Sequence, residues 1–264
     1  MPTRGDQERV ATGRLTRVVK ELLHEGKAQE YLRQQKEKGG ERLARRDFVW
    51  FEILLSFATW GNSRGAKRLR FETLDFDCLC QLPKSERTRL IKRELAEAGV
   101  RYAKNKAQYL LYNFRLIQKK GGLDAAKALI FKAVGPEEKL KALREYKGVG
   151  EKYAYNIMMD AYHPEFHTSI AVDQRIKVIS RALGLRLHRY ADYATFYQKA
   201  AFKLGIQPWE MDRLLYAFRD GILEALQKGP GSGEKQPNSR TSCRTRPETT
   251  CSNDLTKSKS ATRS

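Results

Sequence analysis

Hydrophobic positions along the chain recur mainly with the spacing of helices. Residues 47–58 (DFVWFEILLSFA) are apolar almost all round, which predicts a central buried helix. Further on, Ala107, Leu110, Phe114 and Ile117 lie on one face of another predicted helix. No segment alternates between apolar and polar residues for long enough to indicate a β-sheet. The pattern therefore predicts an all-α fold.

A glycine-rich turn interrupts this pattern at residues 147–150 (KGVG), between two segments with helical spacing. Two glycines flanking one apolar residue let the backbone turn sharply and approach a partner closely. The amides of such a turn, together with the N-terminus of the next helix, form an anion site that suits a phosphate. A plain turn between two helices, without a ligand, is the alternative.

Two residues after this turn have candidate chemistry. Lys152 lies in the first turn of the second helix, where the positive end of the helix dipole disfavours a protonated amine. A neutral lysine amine is a nucleophile that forms Schiff bases. Asp173 precedes another helical stripe, where a carboxylate either caps the helix or stabilises positive charge that develops on a sugar. Without further context, an ordinary solvated lysine and a plain helix cap explain both residues.

Taken together, residues 148–154 (GVGEKYA) and 170–173 (IAVD), followed by Arg175, resemble the helix-hairpin-helix DNA glycosylases, the superfamily of endonuclease III and 8-oxoguanine DNA glycosylase. The pattern of that superfamily is a hairpin L-P-G-V-G-x-K-x-A and a later V-D that opens a helix. The resemblance implies two helical lobes with a DNA-binding cleft between them. In one departure, Tyr146-Lys147 stands where Leu-Pro is usual, which costs rigidity in the turn but adds a charge.

The resemblance implies a lysine Schiff-base mechanism. Lys152 would attack the sugar carbon, and Asp173 would be the essential acidic residue. A lysine at this position marks bifunctional glycosylases with AP lyase activity, and because these mostly remove oxidised bases, we expect an oxidised base as the substrate. The mechanism needs no cofactor. A glycosylase that uses water, or a non-catalytic DNA-binding protein, is the alternative.

The resemblance also implies the residues that contact the DNA backbone and the duplex. The hairpin amides would bind a DNA phosphate, often with an alkali cation at the backbone of Gly148 and Gly150. In the loop after the first apolar helix, Asn62 and Arg64 would fill the space that an extruded base leaves, although a simple turn explains them equally well. The remaining candidates for DNA contact are Lys147, Val149 and Arg175.

Four residues are candidates for the base pocket. Asn156 and Asp160 lie one and two helical turns beyond Lys152 on the same side, where they would line the pocket or form hydrated helix surface. An aromatic side chain near the C-terminus, Trp209 or Phe218, would stack on the extruded base, although such stripes more commonly belong to a core.

Composition supports a polyanionic partner. The formal net charge of +20 over 264 residues suits double-stranded DNA, and an anionic membrane surface would also fit it. No apolar run approaches the length of a membrane span, and the N-terminal residues lack the apolar core of a secretory signal. We therefore expect a monomer that binds DNA in the nucleus of a eukaryote, or in the cytoplasm or nucleoid of other cells.

The cysteines indicate a reducing compartment. Cys78, Cys80, Cys243 and Cys251 are too few and too scattered for a disulfide scaffold. They also lack the tight spacing of the iron–sulfur site that some endonuclease III relatives carry.

Three regions follow from these patterns. Residues 1–46 are a charged N-terminal extension whose apolar positions predict an amphipathic helix from Leu15 to about Leu32, with Gly39-Gly40 as its end. We expect this helix to pack on the body, with a DNA-contacting arm as the alternative. Residues 47–228 form the glycosylase-like core. Residues 229–264 are poor in apolar residues and rich in Ser, Thr, Lys and Arg, which predicts a disordered basic tail.

Overall fold

Helices dominate the computed structural model, which describes residues 3–59 and 64–228. Within these ranges no strand occurs, and the all-α prediction is confirmed. The first half of the chain contains α1 (Arg4–His24), α2 (Gly26–Ala44), α3 (Phe48–Thr59), α4 (Arg64–Arg68), α5 (Phe76–Gln81), α6 (Lys84–Glu97) and α7 (Ala103–Lys119). The second half contains α8 (Leu123–Phe131), α9 (Gly135–Arg144), α10 (Glu151–Asp160), α11 (Gln174–Ala182), α12 (Tyr190–Lys203), α13 (Pro208–Ala217) and α14 (Arg219–Gln227).

The apolar segment at residues 47–58 forms α3, which lies at the centre of the core. It contacts α2, α7, α8 and α10. Trp50 is almost fully buried, and its indole nitrogen donates a hydrogen bond to the Leu74 carbonyl at 2.7 Å. Burying one such large side chain stabilises the fold by about 1.5–3 kcal/mol. Because α3 is buried along most of its length, it determines where the surrounding helices lie.

The N-terminal region differs from the single helix that its sequence predicts. The chain takes an extended conformation at Glu25, so that α1 ends there and α2 begins. The two helices contact each other, α1 also packs on α12 and α14, and α2 packs on α3, α10 and α13. With this break, both helices bury an apolar face against the body.

The second difference is at Gly39-Gly40, where α2 continues to Ala44 instead of ending. Gly39 is buried against the end of α10, and a Cβ atom built on it would lie 2.5 Å from the Cβ of Tyr162. Gly39 therefore allows two backbones to approach closely, and this packing outweighs the low helix propensity of two adjacent glycines.

All described residues belong to one compact unit, and the predicted basic tail at residues 229–264 lies outside the described part. Among the described helices, none has the length and apolar character needed to cross a membrane. Cys78 and Cys80 are free thiols, whereas Cys243 and Cys251 lie outside the described residues. The division of the core into two lobes stays a prediction.

The adjacent glycines of α2 give a test of this packing. We predict that Gly39→Ala lowers the free energy of unfolding by about 2 kcal/mol or more, because the new methyl group overlaps Tyr162. Gly40→Ala is the matched control: nothing lies within 4 Å of its added Cβ, so better helix propensity should raise stability by up to about 1 kcal/mol. Urea denaturation of both variants measures the difference, and equal effects would contradict the close contact.

Candidate active site

The glycine-rich turn joins α9 to α10 and packs directly on the central helix. Gly148 has a φ of +88°, and a Cβ atom there would lie 2.7 Å from the ring of Phe57. The Val149 amide donates to the Tyr146 carbonyl at 3.0 Å and closes the turn. Only glycine satisfies both the left-handed conformation and the contact with α3. The turn thereby fixes the position at which α10 begins.

A buried side chain holds the residue at which the turn departs from the family pattern. The Asn113 amide oxygen accepts the Lys147 N–H at 2.8 Å, and its amide nitrogen donates to the Lys147 carbonyl at 3.0 Å. A proline at position 147 would have no N–H to donate. Asn113 therefore supplies, by hydrogen bonding from α7, the rigidity that a proline supplies covalently.

The second glycine of the turn has a different environment. Gly150 is the N-cap of α10 and is exposed, with an ordinary negative φ, and a Cβ atom there would meet nothing within 4 Å. No side chain caps the first amides of α10. These N–H groups therefore face open space at the positive end of a helix, an arrangement that binds anions.

The hairpin also has main-chain carbonyl oxygens that could bind the alkali cation that the resemblance implies. The carbonyls of Tyr146 and Gly150 each accept one main-chain hydrogen bond, from Val149 and Ala154. Each carbonyl oxygen keeps a second lone pair, so main-chain oxygens of the turn fit a hard cation. Among the described residues, no cluster of His, Cys, Asp or Glu side chains could hold a metal ion.

One cavity brings the two candidate catalytic residues together. It has a volume of about 570 Å³, and both Lys152 and Asp173 line it. Lys152 reaches it from the first turn of α10 and is exposed, whereas Asp173 reaches it from the residue before α11 and is mostly buried. Along the chain, 20 residues separate them: the rest of α10, a short 3-10 turn at Pro164–Phe166 and the segment that leads to Asp173. The fold places both side chains on one cavity.

Asp173 is held by several hydrogen bonds. One carboxylate oxygen caps α11 by accepting the N–H groups of Arg175 at 2.8 Å and Ile176 at 3.2 Å. The other oxygen accepts the Arg175 Nε at 2.6 Å and forms an ion pair with the same guanidinium. That guanidinium stacks 3.8 Å from the centre of the Tyr216 ring. The helix cap and the ion pair together give the carboxylate a fixed orientation beside the cavity.

Charged side chains of alternating sign surround Asp160 in the cavity wall. Arg213 donates to Asp160 at 2.5 Å and pairs with Asp212 at 3.3 Å. On its other side, Asp160 lies 3.6 Å from a nitrogen of Arg42, which is also 3.8 Å from Glu52. These contacts connect α2, α3, α10 and α13, the helices that carry the five side chains.

Burial changes the protonation of two carboxyl groups in this network. Burial raises the pKa of Glu52 to about 8, because desolvation outweighs the attraction of Arg42, and one Glu52 oxygen has no hydrogen-bond partner. Burial also raises the pKa of Asp212 to about 6, partly offset by Arg213 and by the Ala171 N–H that Asp212 accepts at 2.9 Å. At neutral pH, Glu52 is therefore mostly protonated and Asp212 mostly ionised.

The four candidates for the base pocket separate into two groups. Asn156, Asp160 and Trp209 line the cavity that holds Lys152. Trp209 is also almost fully buried, and its indole nitrogen donates to the Met159 carbonyl at 2.6 Å. Phe218 lines a neighbouring groove instead, where its ring packs edge-on against Tyr31 at 5.7 Å.

The polar candidates for DNA contact lie in different places: one is at the hairpin, one lines the cavity, and the side chains of two lie outside the described part. Lys147 is exposed at the hairpin, with its ammonium 5.5 Å from the centre of the Tyr112 ring. Arg175 lines the cavity and pairs with Asp173. Asn62 lies outside the described residues, and Arg64 begins α4 but its side chain lies outside the described part.

Sequence reasoning missed the side chains that α2 contributes. Tyr31, Gln35, Lys38 and Arg42 all line the cavity. Their spacing of four, three and four residues places them on one face of a helix, and this spacing was a usable signal. Asp212 and Arg213 were also missed. In the sequence, charged residues beside an apolar stripe have the same pattern as the solvent-exposed face of an ordinary amphipathic helix.

The raised pKa of Glu52 predicts how stability depends on pH. The native carboxyl holds its proton up to about pH 8, whereas the ordinary value is 4.5, so the wild type loses stability as the pH rises between these values. For the wild type, the free energy of unfolding should fall by on the order of 1 kcal/mol per pH unit in this range. Glu52→Gln stays neutral at every pH and should not show this decrease. Urea denaturation across the range measures it, with the exposed Glu41→Gln as control. Parallel curves for wild type and Glu52→Gln would contradict the prediction.

Comparison with known proteins shows a shared fold. No protein-family model matches the chain, and no curated protein matches it. Among solved structures, the chain is similar to the Methanocaldococcus jannaschii 8-oxoguanine glycosylase/lyase, crystallised with a 15mer DNA containing 8-oxoguanine. The TM-score is 0.61 at 15% sequence identity, over 78% of this chain and 97% of that chain. The chain therefore shares the all-α fold of that structure.

Proposed function

We propose that this protein is a DNA glycosylase with AP lyase activity that removes a damaged base from double-stranded DNA. The observation that carries the proposal is the single cavity lined by both Lys152 and Asp173, beside a hairpin whose free amides begin the helix of Lys152. The fold supports it, because the similar Methanocaldococcus jannaschii structure is a glycosylase/lyase crystallised with DNA.

DNA binding begins at the hairpin. A backbone phosphate binds the amides at the start of α10, where the absence of a side chain on Gly150 leaves room for it. The nearby Lys147 adds positive charge, and the basic character of the whole chain attracts DNA from a distance. These contacts position the protein on the duplex and do not depend on base sequence.

The damaged nucleotide leaves the base stack and enters the cavity. Base loss develops positive charge on the sugar, and the Asp173 carboxylate stabilises that charge. Arg175 and the amides of α11 hold the carboxylate in place, so that it needs little reorganisation during the reaction.

Lys152 then displaces the base and forms a covalent bond to the sugar. Its amine attacks the anomeric carbon of the sugar and loses a proton, and the base departs with the electrons of the glycosidic bond and takes up a proton. The bond between the anomeric carbon and the ring oxygen then breaks, the ring oxygen takes up a proton from water, and the nitrogen lone pair forms an iminium ion on Lys152. Loss of a proton from the adjacent sugar carbon expels the 3′ phosphate, which is the lyase step. An oxidised base is our proposed substrate, since bifunctional members of this superfamily mostly remove oxidised bases.

Covalent trapping tests the role of Lys152. Borohydride reduces the iminium ion to a stable amine, so we predict a protein–DNA adduct with wild type on a duplex that carries an abasic site or the lesion. Lys152→Gln should abolish the adduct. Lys38→Gln is the matched control, because Lys38 is the other lysine on this cavity among the described residues, and its adduct should be retained.

Three outcomes distinguish the candidate functions. An adduct that Lys152→Gln removes supports the proposal. Base release by wild type without an adduct would indicate a glycosylase that uses water, and DNA binding with neither reaction would indicate a binding protein.

A second prediction concerns Asp173. Asn caps helices about as well as Asp, so Asp173→Asn should keep the N-cap of α11 and the fold. It loses the negative charge, and we predict that base release slows by about 100-fold while DNA affinity changes little. Single-turnover base release and a DNA titration measure the two quantities. Base release at the wild-type rate would remove Asp173 from the mechanism.

A further inference from the structure

The helix α2 forms one wall of the cavity, whereas its sequence predicts only a charged, amphipathic helix that packs on the body. Tyr31, Gln35, Lys38 and Arg42 follow one another along its cavity face. The opposite face of the helix is polar and exposed, as shown by Gln34, whose amide donates to Glu30 at 2.7 Å. Each turn of α2 from Tyr31 onwards therefore presents one side chain to the site.

Contacts at three points fix this wall in place. The backbone of Gly39 packs against Tyr162 at the end of α10. Arg42 lies between Asp160 and Glu52. On the flank of α2, Lys36 pairs with Glu210 of α13 at 2.6 Å. A wall anchored to α3, α10 and α13 keeps its register against the cavity, as a recognition surface must.

Within this wall, Gln35 has an unused hydrogen-bonding group. Its side chain is half-buried and lines the cavity, and it makes no hydrogen bond to any described residue. Asn156 of α10 lines the same cavity and likewise has no such partner, whereas the neighbouring Asp160, Asp212 and Arg213 are engaged with one another. The two carboxamides are therefore available to a ligand.

We propose that Gln35 is a specificity-determining residue that binds the edge of the extruded base, with Asn156 as its partner from α10. A carboxamide offers a donor beside an acceptor, so it pairs with a lactam edge, in which a ring N–H adjoins a carbonyl. Oxidation of a purine ring carbon creates such an edge. The inference rests on the proposed glycosylase function, and it assigns to α2 the choice of base rather than the chemistry.

The adjacent glutamines of α2 provide a matched pair of variants. Gln35→Ala removes the carboxamide on the cavity, and Gln34→Ala removes one on the exposed face of the same helix. Single-turnover base release is measured on duplexes with 8-oxoguanine, 5-hydroxyuracil or uracil. Borohydride trapping on a preformed abasic site, which has no base to recognise, reports separately on the chemistry of Lys152.

We expect Gln35→Ala to slow release of the preferred base by about tenfold or more, with trapping at the abasic site unchanged. Gln34→Ala should match wild type in both assays. Gln35→Glu, which keeps the length but removes the donor, should lose at least as much as Gln35→Ala. These results together would support recognition by Gln35.

Other results would overturn the inference in distinguishable ways. If wild type is active and Gln35→Ala releases every base at the wild-type rate, Gln35 does not recognise the base. If Gln35→Ala reduces base release and abasic-site trapping equally, its role is structural. If wild type neither releases a base nor forms an adduct at the abasic site, the proposed function fails, and this inference fails with it.

Discussion

The close contact between the hairpin turn and the central helix is the constraint on which the site depends. Gly148 lies against Phe57 without a side chain between them, and Asn113 holds the preceding residue by two hydrogen bonds. Since α10 begins directly after this turn, the contact fixes where α10 starts along its axis and how it is rotated about that axis. The positions of Lys152 and Asn156 on the cavity follow from it.

A second constraint is the burial of charge around Asp160. Buried ion pairs contribute little net stability, because the cost of desolvation offsets most of the attraction. Here the charges instead connect helices that are distant in sequence, since Arg42 belongs to α2, Asp160 to α10 and Arg213 to α13. Protonation of the buried Glu52 lowers the number of charges that must be accommodated at neutral pH. The network thereby fixes the cavity walls relative to one another.

The sequence predicts some of these features well and others poorly, for physical reasons. The all-α fold, the buried helix at residues 47–58 and the cap formed by Asp173 depend on local spacing and local hydrogen bonds, which a single sequence displays. The sequence predicts a helix end at Gly39, whereas this glycine is needed inside α2 because the chain at Tyr162, far along the sequence, packs against it. The place of Gln35 on the cavity was missed for the same reason, because most of the other cavity walls come from helices that are distant in sequence.

The most direct test of this account is to identify the amino acid that forms the covalent bond to DNA. Borohydride-trapped adduct would be digested with protease and nuclease, and mass spectrometry would locate the residue that carries the sugar remnant. We predict a single modified site at Lys152. Modification of Lys38, which lines the same cavity, or of any other lysine would contradict the central claim that the hairpin places the nucleophile.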